Sequence, residues 1–289
     1  MTHRSLFVIR IITGVAVVAT LGLASCSESS RVLDSQQPAE GVPAGQLLLD
    51  GGEQQTLEPD ALQAAFAALA LSGMEVSRVS GGAGEHLLLV KIQLEMLEPV
   101  LLGGRQGISA LQALEDVQLV VGSGFVSQVN SLAPVGLLQI DGRTVSDMQV
   151  HGYTRILGIR PEGLGILGHR DFHRGMYDSA LQVGPGIVEQ GLLDITERDL
   201  TRTKYLRTFV ATCDRVALVG ATQRPMHLFT LGQRLLEFMQ AENMDCDEVV
   251  NLAGDREVIL AMTSADRSRI VYFGHPHTAK AALLGFKFR

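Results

Sequence analysis

The 289-residue chain contains no tryptophan, and aromatic residues make up only 5% of it. That scarcity argues against a broad aromatic platform for stacking sugars. Basic residues are the minority, 24 Lys and Arg against 31 Asp and Glu, for a formal charge of −7. Residues 1–25 include Arg4 and Arg10 and no acid, so the remainder carries 22 basic and 31 acidic residues, a charge of −9. That balance argues against a general nucleic-acid binder, which normally shows a basic patch. No Gly-x-Ser-x-Gly elbow and no His-Glu-x-x-His helix occurs, which leaves serine-hydrolase and zincin chemistry without support. There is no Walker-type loop, coiled coil or internal repeat. His169 and His173 stand four apart, but Gly168 and Gly175 flank them and the region reads as a loop. His275-Pro276-His277 reads as a turn. Neither pair is expected to hold a metal, and no cofactor is expected.

Long apolar runs are also missing, with one exception. Ile11 to Ala24 is almost wholly apolar, too short for the roughly 20 residues of a membrane span and of the length of a signal-peptide core. Leu23-Ala24-Ser25-Cys26 resembles a bacterial lipobox. It implies cleavage before Cys26 and lipidation of that residue, hence a membrane attachment through the lipid. Ser27 after the cysteine is similar to an outer-membrane address, so the chain is expected to face the periplasm. Residues 26–44, rich in Ser, Gln, Glu and Pro, bury too little surface to order themselves and read as a tether. Residues 45–289 are long enough for one domain with a substantial core.

Within that domain Pro59 opens a helix to about Leu71, with Leu62, Phe66 and Leu69 on one face. Leu87 to Met96 alternates. Val90, Ile92, Leu94 and Met96 face one side and Lys91, Gln93 and Glu95 the other, the pattern of a strand with one wet face. Ser109 with Gln112, and Thr230 with Gln233, have capping-box spacing. The second pair predicts a helix whose apolar stripe is Leu231, Leu235, Phe238 and Met239. Asp141-Gly142 signals a tight hairpin. Val249 to Leu252 reads as a buried strand entering a glycine turn at Gly254. Many short strands with three helices predict an α+β domain with antiparallel or mixed sheets. Cys213 and Cys246 each sit beside a predicted strand, a placement compatible with a disulfide in an oxidising compartment or with two buried thiols.

Five separated pieces then stand in a telling order. They are Val121-Gly122-Ser123-Gly124-Phe125; Pro134-Val135-Gly136-Leu137 with Asp141-Gly142; Gln182-Val183-Gly184-Pro185; Arg207-Thr208; and Asn251-Leu252-Ala253-Gly254-Asp255. Together they resemble the phosphodiester glycosidase family, relatives of the enzyme that removes N-acetylglucosamine from a phosphodiester. The resemblance implies cleavage between the anomeric carbon and the phosphate oxygen. Such chemistry wants a carboxylate against the developing ring charge, and Arg or converging N–H donors on the phosphate. It assigns Arg207, Gln182, Asn251 and the glycine turns at Gly122, Gly124 and Gly184 to substrate binding. Gly122 stands where the family has Asn, and Ala253 where it has Asp. Asp255 is the residue left to replace that acid. The implied function is hydrolysis of a sugar 1-phosphodiester, weakened or lost. The alternative is a non-catalytic scaffold that binds a glycan or a protein of unknown identity. Metabolic labelling with a fatty acid is expected to mark the wild-type chain and not Cys26→Ala; equal labelling of both would contradict the lipoprotein reading.

Overall fold

The computed structural model describes residues 43–49, 53–82, 85–114, 116–128, 131–149 and 152–289. Cys26 and the tether lie outside them. The first sheet has seven strands in the order β2 (Gln54–Leu57), β1 (Gly45–Leu48), β20 (Ile270–Gly274), β19 (Ile259–Thr263), β6 (Val117–Ser123), β21 (Lys280–Phe288) and β5 (Leu97–Arg105). The second, also of seven, runs β15 (Leu192–Leu193), β14 (Gly186–Glu189), β18 (Glu248–Gly254), β16 (Arg207–Cys213), β17 (Val216–Thr222), β4 (His86–Gln93) and β3 (Met74–Ser80). A five-stranded sheet follows, with β10 (Arg143–Ser146), β9 (Leu138–Ile140), β13 (Ser179–Val183), β11 (Arg155–Arg160) and β12 (Gly163–Gly168). The short strands β7 (Phe125–Val126) and β8 (Pro134–Val135) pair with each other. With α1 (Pro59–Leu69), α2 (Ile108–Gln112) and α3 (Leu228–Ala241), this is the expected α+β fold. Every strand pair among the described residues is antiparallel.

The main core lies where the three sheets face one another. It takes Leu88, Val90 and Ile92 from β4, Val121 from β6, Leu157 from β11, Leu181 from β13 and Leu284 from β21. Leu62, Phe66 and Leu69 of α1 join the same core. A second apolar layer lies between the second sheet and α3, where Leu231, Leu235 and Met239 meet Leu87, Leu89 and Phe209. Strand β4 is thus buried on both faces along its first half, not wet on one side as its alternation suggests. The helix covers Leu87 and Leu89, and the cover ends at Lys91. Leu94 to Met96 form a turn rather than more strand.

Two helix starts also differ from the sequence pattern. The N-caps are Gly107 for α2 and His227 for α3, with no side-chain cap bond from either, so the capping boxes at Ser109 and Thr230 do not form. The end of α3 is instead held from outside, by Asp199 Oδ2 accepting from Phe229 N at 3.0 Å. Strand β5 was hidden by Pro99, which its edge position tolerates because an edge strand need not donate on both sides. The hairpin at Asp141-Gly142 forms, with φ of 48° and 75° as a two-residue turn requires.

Cys213, at the end of β16, and Cys246, just before β18, form a disulfide across 33 residues of sequence that include α3. Both are buried in the layer under α3. A loop of that length predicts about 3–4 kcal/mol of stabilisation. The variant with both Cys213→Ala and Cys246→Ala is expected to lose that amount in a denaturant titration; an unchanged midpoint would show that the bond contributes nothing.

Candidate functional site

Strand β18 belongs to the second sheet and β19 to the first, and the chain passes between them through a single 3₁₀ turn, Asp255–Glu257. Here the sheets come close enough to bond. Thr208 Oγ1 donates to Gly122 O at 2.8 Å, and Gly124 N donates to Leu252 O at 2.9 Å. The turn itself starts at Asp255, with φ of +51°; Gly254 is extended, so the expected glycine turn lies one residue later. Asp255 is buried, its N–H donating to Leu206 O at 3.0 Å and its C=O accepting from Val258 N at 3.1 Å.

This turn explains Gly122. A Cβ at that position would collide with the carbonyl oxygen of Glu257 and press on Ile259 N at 3.1 Å. Glycine is therefore required there while the turn keeps this path. The requirement at Gly122 is thus set by the residues just after the Ala253–Asp255 stretch, Glu257 and Ile259. Ala253 is fully buried and pairs across the ladder with Thr208, so its position supplies no acid.

Arg207 opens β16 opposite Gly254, and its N–H donates to Thr222 Oγ1 at 2.9 Å. Its guanidinium lies over the Tyr205 ring at 4.9 Å. Tyr205 is two residues earlier on extended chain, which places both side chains on one face. Burial lowers the Arg207 pKa to about 10, against the pull of Asp199, Tyr205 and Asp255, so the group stays cationic at neutral pH. Its Nε has no hydrogen-bond partner among the described residues. The guanidinium lines a cavity of about 420 Å³ together with Tyr205, Phe125, Tyr153, Pro185, Leu228 and residues of the 194–203 segment. Phe125 and Tyr153 stack there with ring centres 4.7 Å apart.

Ionisable groups are also buried around the turn. Burial raises Glu257 to about 7, with the nearby Asp255 adding to the rise and Lys280 opposing it. Burial likewise lowers Lys280 to about 7, partly offset by Glu257. The Lys280 ammonium donates to the carbonyls of His275 at 2.6 Å, Thr278 at 2.9 Å and Arg256 at 3.0 Å, tying the His275–Thr278 loop to the turn. Tyr153 is pushed up to about 12 by burial and by the charge of Glu257. The acids of the turn thus sit near the wall made by Arg207 and Tyr153.

The other residues singled out in the sequence serve the frame. Gln182 uses its whole amide: Oε1 accepts from Leu137 N at 3.1 Å and Gln149 N at 2.8 Å, and Nε2 donates to Gln149 O at 2.7 Å and Tyr153 O at 2.8 Å. It positions Tyr153 from behind. Asn251 Nδ2 donates to Gly184 O at 3.1 Å, and Gly184 N donates back to Asn251 O at 3.1 Å. The amides of Gly124 and Gly184 are therefore used inside the fold, and the backbone phosphate cradle expected of these turns is not built from them. His169 Nδ1 lies 3.2 Å from Thr154 O. Tyr153, Tyr205, Asp199, Glu257 and Lys280 were not singled out by sequence. Only Tyr205 carried a signal, its spacing of two from Arg207.

Since Glu257 has a folded-state pKa raised from 4.5 to about 7, the folded chain binds more protons than the unfolded one between those values. Its contribution to stability therefore falls as pH rises through that window. Denaturant titrations at the two ends of the window should differ less for Glu257→Gln than for the wild type; an identical difference would contradict the burial of that carboxyl.

No protein-family model matches this chain, and no curated protein does. Solved structures do. The catalytic domain of zebrafish N-acetylglucosamine-1-phosphodiester alpha-N-acetylglucosaminidase, auto-inhibited by its pro-peptide, matches with a TM-score of 0.55 and 15% identity over 91% of this chain and 94% of that one. A hypothetical protein from Synechocystis matches with a TM-score of 0.49 and 11% identity over 75% of this chain and 62% of that one. At such identity the likeness to the zebrafish domain is one of fold: the chain carries a phosphodiester glycosidase-like architecture.

Proposed function

We propose that this chain is a bacterial envelope lipoprotein, anchored through Cys26 and facing the periplasm, whose cavity receives the phosphate of a sugar 1-phosphodiester on Arg207. Hydrolysis at the site is weakened or lost. The observation that carries this reading is the Arg207 guanidinium, cationic, stacked on Tyr205 and lining the cavity. A guanidinium in a partly desolvated wall is well matched to a phosphate, which it meets through paired N–H donors. The zebrafish domain of the same fold is named for an enzyme of sugar 1-phosphodiesters.

The weakening follows from Ala253. Cleavage at the anomeric carbon leaves positive charge on the ring, and the methyl group at 253 cannot stabilise it. Loss of an acid–base group costs roughly 10²–10⁴-fold in rate. Asp255 is buried beside Arg207, and its charge supports the guanidinium. In this reading it sustains the anion site more than it replaces the lost acid. The buried alanine also favours a second reading, a non-catalytic scaffold that holds a glycan phosphate or a protein partner without turnover.

Calorimetry on the full-length chain in detergent, titrated with N-acetylglucosamine 1-phosphate, is expected to show saturable binding. Arg207→Ala should weaken it by roughly tenfold or more, the scale of a charge-assisted bond. Equal affinity in the variant would overturn the assignment. Hydrolysis of a methyl diester of the same sugar phosphate, lost in Arg207→Ala, would overturn the scaffold reading.

A further inference from the structure

The Arg207 cavity has a second cationic feature that a single phosphate does not use. One wall is the segment from Asp194 to Thr203, whose exposed members Arg198 and Arg202 belong to the same lining. The segment is built around the 3₁₀ helix Glu197–Thr201, with Arg202 as its first extended residue. One bond closes it on itself and one ties it to α3. Thr201 Oγ1 donates to Arg198 O at 2.7 Å, and Asp199 Oδ2 accepts from the first turn of α3 at 3.0 Å. Both arginine side chains are thus carried on a backbone fixed against the helix.

The lining also holds two carboxylates, and each has a partner other than Arg198 and Arg202. Asp199 is the acceptor for α3, and Asp194 is paired with Arg155 at 2.7 Å. Neither Arg198 nor Arg202 forms an ion pair among the described residues. Three arginines and two aspartates line one cavity in a chain whose overall charge is −7, and one of the aspartates, Asp194, is paired with Arg155, so the lining is cationic on balance. Like charges gathered in a concave wall repel one another, and the cost is offset when an anion of matching charge enters. Arg207 alone suffices for one phosphate. Two more on the 194–203 wall match a second anionic group next to the first, displaced toward the mouth.

The geometry points to Arg198 and Arg202 as a second anion subsite, so that the ligand is a sugar 1-diphosphate, with two linked phosphates, rather than a sugar 1-monophosphate. This rests on the assignment of Arg207 to the first phosphate. The sugar would sit against the stacked Phe125 and Tyr153, the first phosphate on Arg207, and the second under Arg198 and Arg202. Beyond it the outer group, a nucleoside or a lipid carrier, would leave the cavity past the exposed Arg198 and Arg202.

The test compares the full-length wild type, the double variant Arg198→Ala with Arg202→Ala, and Arg207→Ala by calorimetry. The probes are N-acetylglucosamine 1-phosphate and uridine diphosphate N-acetylglucosamine, with inorganic phosphate and pyrophosphate as competitors free of sugar and base. Wild type should favour the diphosphate members of both pairs by roughly tenfold, the scale of one charge-assisted contact. The double variant should lose that preference while its affinity for the monophosphate changes by less than about threefold. Both arginines are exposed, and thermal melting should be unchanged. Equal wild-type affinity for mono- and diphosphate, or a double variant that weakens both alike, overturns the proposal. If monophosphate binding survives Arg207→Ala, the first phosphate is misplaced and the underlying reading fails instead. A farnesyl diphosphate-linked N-acetylglucosamine separates the two sources: tighter binding than the uridine compound assigns a lipid carrier, weaker binding a nucleotide, and either supports the second subsite if the double variant abolishes it.

Discussion

The chain must pass from the middle of one sheet to the middle of the other between β18 and β19, and it does so in the four residues Asp255 to Val258. That crossing is the constraint on which the rest of the site depends. The two sheets can come together there only if one side gives up a side chain, and Gly122 is the residue that does. The gap is closed by hydrogen bonds beside the apolar packing of Val121, Leu252 and Val258. Thr208 Oγ1 reaches Gly122 O, and Gly124 N reaches Leu252 O. A buried crossing leaves backbone groups that must be satisfied. Leu206 O and Val258 N take the groups of Asp255, and Lys280 takes three carbonyls of the surrounding loops.

From this crossing the chemistry follows in order. Pairing of Arg207 with Gly254 fixes the guanidinium beside the turn. Burial would favour loss of its proton, and the charges of Asp199 and Asp255 counter it. Asp255 of the turn thus helps to keep the Arg207 guanidinium charged. Gln182 holds the loop that carries Tyr153, and Asn251 clamps the Gly184 turn beside Pro185. Polar side chains that resemble substrate-binding residues in sequence are here the fasteners of a cavity lined by Arg207 and its aromatic neighbours.

Much of this was legible in the sequence where local physics decides. The stripe of α3, the Asp141-Gly142 hairpin and the buried strand at Val249 follow from periodicity and turn chemistry, and all are present. The failures share a cause. The wet face of β4 is covered by a helix far along the chain, and the start of α3 is capped by Asp199 from another segment rather than by Thr230. The reason for Gly122 is the backbone of Glu257, distant in sequence and adjacent in space. Tyr153 and Lys280 gain their surroundings only from such long-range packing. A linear pattern shows which residues depart from a motif; it does not show what each departure packs against.

The central claim is that the crossing leaves a cavity able to take a sugar phosphate on Arg207. A crystal structure of the protein soaked with N-acetylglucosamine 1-phosphate tests it most directly. The account predicts the phosphate within hydrogen-bond distance of the Arg207 guanidinium and the sugar against Phe125 and Tyr153. A phosphate bound elsewhere, with Arg207 turned away from it, would contradict the account.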